Sequence, residues 1–440
     1  MKRWLAMALT TLLLTSLMAC GSAGGSEPAA DKSSAETVSE DTAAADTADA
    51  VSTEDASADT VSAQSAASGS SLMENLEEHT IAVLIYDRTD DEVISFRRYL
   101  QDYIGSVFNV NFLYSDSIAS EEEALAFIQE AADYGAEGVM SFNSYDLEAE
   151  TALCEQNGIY FMMASGTVSN EEFAKAEKNP YFLGVVGPGR FIEYKAGSDM
   201  LGYFVEQEEG NEYFILSGGG CMGNEMHYLR TVGILDTLQN AYDVTFDKTT
   251  EEIARSEEPY HFESDAVKVV VAPGYLTFPE VLETCEKEYA EHPYGNVLSV
   301  LPAAKMLNSI KGAKLGMVDC YSEANLQLFA NGQLHYLTGK YSSIIGPSFA
   351  AMYNAVTGHA DVMREKGRPF YATQGFWSST SLEDYTEKYA YASSLEKNAY
   401  NYEDLSAVML AFNKDATVAD LKELAKAYSF EKAVERRSAE

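Results

Sequence analysis

The sequence predicts an α/β protein with two lobes, each built on a doubly wound parallel sheet. Continuous apolar runs such as residues 81–86 are typical of strands that are buried on both faces. Between the runs, apolar residues recur at helical spacing, as at Val93, Phe96 and Leu100. Strands and helices alternate up to about residue 376, and the predicted strands outnumber those that one such sheet usually holds. We therefore expect two sheets joined by hinge strands.

The expected helices carry recognisable end signals. Gly105 is the expected end of the first helix, and Ser120 with Glu123 has the pattern of a capping box at the start of the second. The expected strands are 81–86, 107–114, 138–142, 159–164, 181–186, 212–217, 242–246, 267–271, 296–301, 315–318, 335–341 and 370–376.

Five parts of the chain follow from these elements. Lobe 1 is expected at residues 79–187 plus 341–373, and lobe 2 at 188–340 plus 374–400, with hinges near 186–189, 340–343 and 374–377. Residues 401–440 form a helical C-terminal extension. The remaining parts are a signal peptide at residues 1–20 and a disordered acidic linker at 21–78, which has too few apolar residues to offset the entropy of ordering.

The signal peptide ends in the run Leu17-Met18-Ala19-Cys20. This run resembles the lipobox of bacterial lipoproteins, in which the cysteine is lipidated and becomes the mature N-terminus. An ordinary signal peptide with a nearby cysteine is the alternative. The resemblance implies a chain that works outside the cell membrane, anchored by a lipid on Cys20.

The composition of the chain limits which classes of binding partner are plausible. The net charge of −39 makes nucleic acid and anionic lipid surfaces unfavourable partners. The cysteines beyond Cys20 show no CxxC pairing, so we expect buried thiols and no metal site. A disulfide between Cys221 and Cys320 remains open. We expect a monomer.

A glycine-rich loop at residues 218–223 follows a predicted strand and opens a helix. With Asp247 about twenty-four residues further on, it fits a dinucleotide fingerprint, which makes an NAD-type enzyme a third hypothesis. Export argues against a nicotinamide cofactor, and other catalytic signatures are missing from the sequence. We therefore expect no enzyme activity and no cofactor; the loop would bring backbone N–H groups close to a bound polar group.

Ligands of open α/β sheets bind beyond the carboxyl ends of the strands. Polar groups there that could orient a ligand are the strongest candidates, namely Arg88, Asn143, Asp319 and Lys340. The full set of candidate ligand-binding residues is Asp87, Arg88, Asn143, Ser165, Met222, Asn224, Tyr275, Asp319, Tyr321, Lys340 and Tyr341.

Several short stretches, in order, resemble one family. They are 81–87, 135–140 leading to Asn143, 194–197, 230–233 and 316–319. Together with the lipobox, they resemble the solute-binding lipoproteins of bacterial ABC importers with the type I fold of the ribose- and galactose-binding proteins. The resemblance implies that Asn143 and Asp319 bind sugar hydroxyls. The basic membrane lipoproteins, which include purine nucleoside binders, are a related possibility.

This chain departs from the sugar binders at three positions. Ala164-Ser165 stands where an Asp-Arg pair is usual, Ala303 stands in place of an Asn, and Lys340 in place of a Gln. The departures indicate a small polar ligand, sugar-like or nucleoside-like, that carries an acidic group or is flatter than a hexose. The expected function is capture of this ligand between the lobes and delivery to an ABC permease. The alternative is an extracellular sensor that passes the closed state to a membrane signalling partner.

Overall fold

Two parallel sheets organise the protein, whose computed structural model describes residues 76–208 and 210–438. The signal peptide, Cys20 and nearly all of the linker lie outside the described residues. Within the described part of the chain, no helix combines the length and apolar character that a membrane span requires. The strands are β1 (His79–Ile85), β2 (Val110–Ser117), β3 (Gly138–Ser141), β4 (Tyr160–Ala164), β5 (Phe182–Gly187), β6 (Glu212–Gly218), β7 (Tyr260–Glu263), β8 (Lys268–Pro273), β9 (Asn296–Ser299), β10 (Lys314–Cys320), β11 (Leu334–Lys340), β12 (Phe370–Thr373) and β13 (Trp377–Ser379).

The first sheet has six parallel strands in the order β12-β5-β4-β3-β1-β2. Its centre is apolar on both faces because helices cover each side: Ile81 to Ile85 are fully buried. The second sheet has seven strands in the order β13-β11-β10-β9-β6-β8-β7, with β7 and β13 antiparallel to their neighbours. Both orders reverse direction at the first strand of the lobe, which is the doubly wound arrangement predicted from the sequence. The predicted fold class is confirmed.

The helices run between these strands. They are α1 (Asp91–Arg98), α2 (Gly105–Phe108), α3 (Glu121–Tyr134), α4 (Leu147–Asn157), α5 (Asn170–Ala176), α6 (Gly189–Glu206), α7 (Glu225–Tyr242), α8 (Thr250–Ala254), α9 (Pro279–Glu291), α10 (Glu323–Ala330), α11 (Gly346–Asn354), α12 (Leu382–Ala392), α13 (Tyr402–Ser406), α14 (Val418–Lys426) and α15 (Phe430–Ser438).

Two element predictions are wrong. The strand expected at 242–246 is absent from the described structure, because α7 runs on to Tyr242 and Asp243 then ends it in the left-handed conformation, with φ of 50°. The edge strand is β7 instead. Gly105 does not end the first helix: a π-helical turn, Tyr99–Ile104, links α1 to α2, and Asn109 ends the run at a φ of 53°. A short polar residue tolerates the left-handed region, so Asn109 takes the place of the expected glycine stop, and Asp243 ends α7 in the same way.

The chain passes between the sheets three times. The passages follow β5, separate β11 from α11, and separate β12 from β13. They coincide with the segments that the sequence predicts as hinges, and movement about them stays a prediction.

Helices α6 and α7 cross in close contact at two glycines. A Cβ on Gly197 would lie 1.9 Å from the carbonyl oxygen of Arg230, and one on Gly233 would lie 2.0 Å from that of Tyr194. Only glycine allows the two backbones to approach so closely. This contact gives a physical reason for the short stretches 194–197 and 230–233 that carry the family resemblance.

The C-terminal helices lie over the passages between the sheets. The Tyr402 N–H, at the start of α13, donates to the hydroxyl of Tyr103, in the π-helical turn after α1, at 2.7 Å. Just before the extension, Gln374 donates to the Tyr400 hydroxyl at 3.1 Å. Trp377 donates its indole N–H to the Tyr428 carbonyl at 2.8 Å. The extension therefore contacts both β13 and the helix after β1.

Candidate functional site

An ion pair joins the two sheets at the carboxyl ends of their strands. Lys340, the last residue of β11, donates to Glu92 Oε1 at 2.8 Å, and Glu92 lies in the first turn of α1, after β1. Both side chains are largely buried, with exposed fractions of 8% and 13%. Tyr86 donates its hydroxyl to Asp90 Oδ1 at 3.2 Å and approaches Glu92 Oε1 at 3.3 Å. We call the region around these residues the interlobe cleft. Lys340 of the second lobe and Glu92 of the first lobe meet there.

Asp319 belongs to the same cleft. Its carboxylate accepts hydrogen bonds from the Cys320 N–H at 2.8 Å and from Asn325 Nδ2 at 2.8 Å. Burial raises the pKa of Asp319 to about 7, and the negative charge of Asp90 contributes. Burial and the charge of Glu92 also raise the pKa of Asp90 to about 6. Asp90, Glu92 and Asp319 thus lie close enough to influence one another, and Glu92 of this group pairs with the Lys340 ammonium.

The raised pKa of Asp90 predicts a pH-dependent stability. Between about pH 4 and pH 6, the carboxyl group of Asp90 is protonated in the folded chain and ionised in the unfolded chain. The stability that this group contributes is therefore fully present below its unfolded pKa, and it is lost as the pH rises through 6. An Asn at this position keeps the acceptor that caps α1 and carries no charge. We expect Asp90→Asn to be more stable than the parent by about 1–2 kcal/mol near pH 8, a value reduced for partial exposure, and equal to it near pH 4.

Urea unfolding of both proteins at the two pH values measures this difference. Asp116→Asn, a change at an exposed carboxylate, is the control and should alter stability little at either pH. A parent and an Asp90→Asn variant with parallel pH profiles would contradict the prediction.

The glycine-rich loop supports two rings on the other side of the cleft. A Cβ at Gly218 would lie 2.5 Å from His227 Nδ1, and one at Gly219 would lie 2.3 Å from the Tyr275 ring. The Gly219 N–H donates to His227 Nδ1 at 3.0 Å, which leaves the proton of a neutral imidazole on Nε2. Burial lowers the pKa of His227 well below its ordinary value, and the positive charges of Arg230 and Lys340 lower it further. His227 therefore offers an N–H donor at neutral pH.

This arrangement argues against the dinucleotide fingerprint. His227 already accepts the loop N–H that a pyrophosphate would need. Asp247 does not follow a strand; its carboxylate accepts the Tyr260 hydroxyl at 2.6 Å. Small residues in the loop are required by ring packing instead.

Asn143 lies just after β3, and Asn224 lies after β6 and the glycine-rich loop. Asn224 caps α7 and donates to the Tyr275 hydroxyl at 2.9 Å. Burial raises the pKa of Tyr145, a hydrogen bond with Asn143 lowers it, and Tyr275 raises it again. Tyr275 follows β8 of the second sheet, so this influence indicates that the two phenols approach each other from different lobes. Asn224 and Tyr275 are thus joined by a hydrogen bond, while Asn143 interacts with Tyr145.

Other predicted site residues lie apart from these groups. Asp87 caps its own turn by accepting from Thr89, and Arg88 pairs with Asp116 at 2.5 Å on the surface. The Met222 side chain is 57% exposed at the loop tip. Ser165 is buried in the left-handed region, with φ of 61°, and its N–H donates to the Val186 carbonyl.

Tyr321 and Tyr341 lie in an aromatic cluster instead of the cleft. Tyr321 stacks on Tyr385 with a ring separation of 4.9 Å, and Tyr341 stacks on Trp377 at 4.0 Å. Both tyrosines are at most 4% exposed. Their position after a strand is as predicted, but the neighbouring β13 and the C-terminal helices cover them.

A second buried ion pair lies beneath the cleft and was not predicted. Arg230 Nε donates to Glu193 Oε2 at 2.6 Å, and Arg230 Nη1 donates to the Val300 carbonyl at 2.9 Å. The guanidinium also lies 5.6 Å from the centre of the Phe376 ring. Thr167, from the loop after β4, donates to Glu193 at 3.2 Å, so the pair ties the two lobes together near the first passage.

The described cysteines are all free. Cys154, Cys285 and Cys320 are buried and Cys221 is partly exposed, so the disulfide left open between Cys221 and Cys320 is not formed. Two cavities have volumes of about 440 and 390 Å³. The first is formed by residues 245–252 with Gln239, and the second by residues 188–192 with β12 and the loop after β4. Neither is lined by a predicted site residue.

Two doubly wound lobes joined by three passages define the type I periplasmic-binding-protein fold. Solved structures with this fold include a galactofuranose binding protein, with a TM-score of 0.55 and 10% identity over 72% of this chain and 100% of that one. A sugar ABC transport substrate-binding protein from Bordetella parapertussis 12822 has a TM-score of 0.53 and 11% identity over 73% and 98% of the two chains.

A third structure carries a bound molecule. It is a carbohydrate transporter from Acidothermus cellulolyticus 11B in complex with myo-inositol, with a TM-score of 0.52 and 15% identity over 72% of this chain and 99% of that one. No family model and no curated protein sequence matches the chain. At these identities the likeness shows the fold.

Proposed function

We propose that this chain is an extracytoplasmic solute-binding lipoprotein. It captures a small, neutral, hydroxyl-rich ring between its lobes and delivers it to an ABC importer. The observation that carries the proposal is the cross-lobe pair of Lys340 and Glu92, buried beside Asp90 and Asp319 at the carboxyl ends of the strands. Ligand hydroxyl groups suit this site because they can donate hydrogen bonds to the carboxylates, and the ligand then needs no charge of its own.

The charges of the cleft favour a neutral ligand over an acidic one. Lys340 is paired with Glu92, Arg230 with Glu193, and Arg190 with Glu225. An incoming carboxylate would meet three side-chain carboxylates and would have to displace Glu92 to reach the ammonium group. We therefore revise the sequence-based hypothesis of an acidic ligand.

The other end of the cleft offers ring surfaces and donors. Tyr145 and Tyr275 are partly exposed, and the flat faces of sugars and nucleosides pack well on such rings. His227 supplies a neutral N–H donor, and Asn143 supplies an amide. A ring with hydroxyls at one edge can therefore meet carboxylates at one end and an aromatic wall at the other.

The neighbours support a role in import. The Bordetella structure is a substrate-binding component of a sugar transport system, and others carry arabinofuranose or myo-inositol. Binding would favour the closed arrangement only through contacts that exist in that state, and a permease would read the closed state. Lipidation at Cys20 would hold the protein at the membrane.

A thermal-shift series tests the proposal. It would include furanose and pyranose sugars, inositols, nucleosides, amino acids and small carboxylates. A ligand at about 100 times its Kd stabilises the folded chain by about 2.7 kcal/mol. We expect a neutral polyol to raise the Tm, and Asn143→Ala and Asp319→Ala each to weaken binding by about tenfold or more.

Arg88→Ala is the matched control, because Arg88 forms an exposed ion pair with Asp116. It should keep the full shift. A Tm raised only by carboxylates would overturn the proposed ligand class, and an unchanged shift in both cleft variants would overturn the location of the site. A membrane signalling role would be indicated instead if uptake of the bound polyol persisted after deletion of the protein.

A further inference from the structure

We propose a divalent transition-metal site formed by His261, Glu288 and His292, on the outer edge of the second sheet. His261 lies on the edge strand β7, Glu288 lies in the last turn of α9, and His292 follows its end. Helix α9 starts at the carboxyl end of β8 and ends before the amino end of β9, so the three residues lie at the end of the lobe opposite the cleft. The site is independent of the proposed function.

The three side chains already converge on one point. One candidate ligand atom from each residue lies within 4.8 Å of those of the other two. His261 Nε2 and Glu288 Oε2 are 2.7 Å apart, and the two imidazole rings have centres 5.0 Å apart. Around a tetrahedral ion with metal–nitrogen bonds of about 2.0 Å, donor atoms stand about 3.3 Å apart. A shift of about 1.5 Å or less brings atoms at these separations to that spacing.

The sequence spacing and the second shell favour coordination. Glu288 and His292 are four residues apart, so they share one face at the end of α9. His292 Nδ1 lies 3.2 Å from the Glu288 carbonyl oxygen, which can only accept a hydrogen bond. The proton of neutral His292 is therefore on Nδ1, and Nε2 keeps the lone pair that a metal needs.

The donor set identifies the class of ion. Two imidazoles and one carboxylate suit Zn²⁺ and its neighbours Co²⁺, Ni²⁺ and Cu²⁺, and are a poor match for Ca²⁺ or Mg²⁺, which prefer oxygen ligands. The His261 side chain is 46% exposed and that of Glu288 is 15% exposed, so an ion can enter and can keep a water ligand. The chain's net charge of −39 attracts cations to this surface.

Metal titration of the full chain tests the site. Zn²⁺ competition with a chromogenic chelator at about 0.15 M salt should show one tight equivalent, since salt screens weak binding to scattered carboxylates. Co²⁺ should give a visible absorption band typical of imidazole coordination. We expect His261→Ala and His292→Ala each to lower the Zn²⁺ affinity by about tenfold or more and to remove the Co²⁺ band.

The matched control is His359→Ala, which removes one histidine from another part of the chain. It should leave the affinity and the Co²⁺ band unchanged. Circular dichroism would establish that all variants are folded. A further variant, Glu288→Gln, would keep a hydrogen-bond acceptor for His261 while removing the negative charge of the carboxylate. A parent with no tight equivalent, or equal affinity in the parent and the two histidine variants, would overturn the proposal.

Discussion

Glu193→Ala is expected to lower the free energy of unfolding by about 3–5 kcal/mol, because it leaves the Arg230 guanidinium buried without its partner. Glu193 is fully buried, and the Arg230 side chain is 7% exposed. The Val300 carbonyl and the Phe376 ring would remain as neighbours, and neither neutralises the charge. Arg230→Ala should lose a similar amount, since it leaves the carboxylate unpaired.

Equilibrium unfolding in urea measures the loss. The double variant Glu193→Leu with Arg230→Met removes both charges together, so it should be more stable than either single variant. Asp199→Ala is the control on the same helix: it breaks the exposed pair with Lys195 and should change stability by about 1 kcal/mol or less. A double variant that loses the sum of the two single losses would contradict this account.

Gly197→Ala is the second change with a large expected effect. The added methyl group would lie 1.9 Å from the Arg230 carbonyl oxygen, and a backbone atom cannot move aside as a side chain can. We expect α6 and α7 to separate and stability to fall by about 3 kcal/mol. Gly233→Ala, at the facing position, should have the same effect.

The same helix offers an internal control. A Cβ at Gly202 would meet no atom within 4 Å. Because alanine is a better helix former than glycine, Gly202→Ala should raise stability by about 0.5–1 kcal/mol. Thermal unfolding of the two variants beside the parent is sufficient. Equal stability of Gly197→Ala and Gly202→Ala would show that the helices tolerate separation.

Much of the sheet architecture was predictable because its physical signal is local. The central strands are apolar on both faces, and capping residues such as Ser120 mark helix starts within three or four positions. The predicted helix ends were wrong where a residue other than glycine ends the helix. Asp243 and Asn109 end helices in the left-handed conformation, while Gly105 continues one. A short edge strand such as β7 depends on its neighbour for pairing, and its sequence, YHFE, carries little pattern of its own.

The site was predictable only in part. The rule that ligands bind beyond strand ends identified Lys340 and Asp319, but Glu92 lies 248 residues from Lys340, and no local pattern joins them. The acidic start of α1 was the available signal. His227 was missed although it follows the capping Asn224 by three residues, a spacing that turns its ring towards the glycine loop. Tyr321 and Tyr341 were misjudged because their cover comes from distant helices.

The stretch Ala399-Tyr400, just before the C-terminal extension, has a consequence for motion. The Ala399 N–H donates to Ser343 in the second passage at 3.1 Å, Gln374 in the third passage donates to Tyr400, and Tyr99 bonds the same stretch from the first lobe. We expect a segment bound at two of the passages to restrict the angle through which the lobes can open. We therefore expect the ligand-free protein to stay close to its closed conformation. Solute would exchange during short-lived, small-angle openings of the lobes.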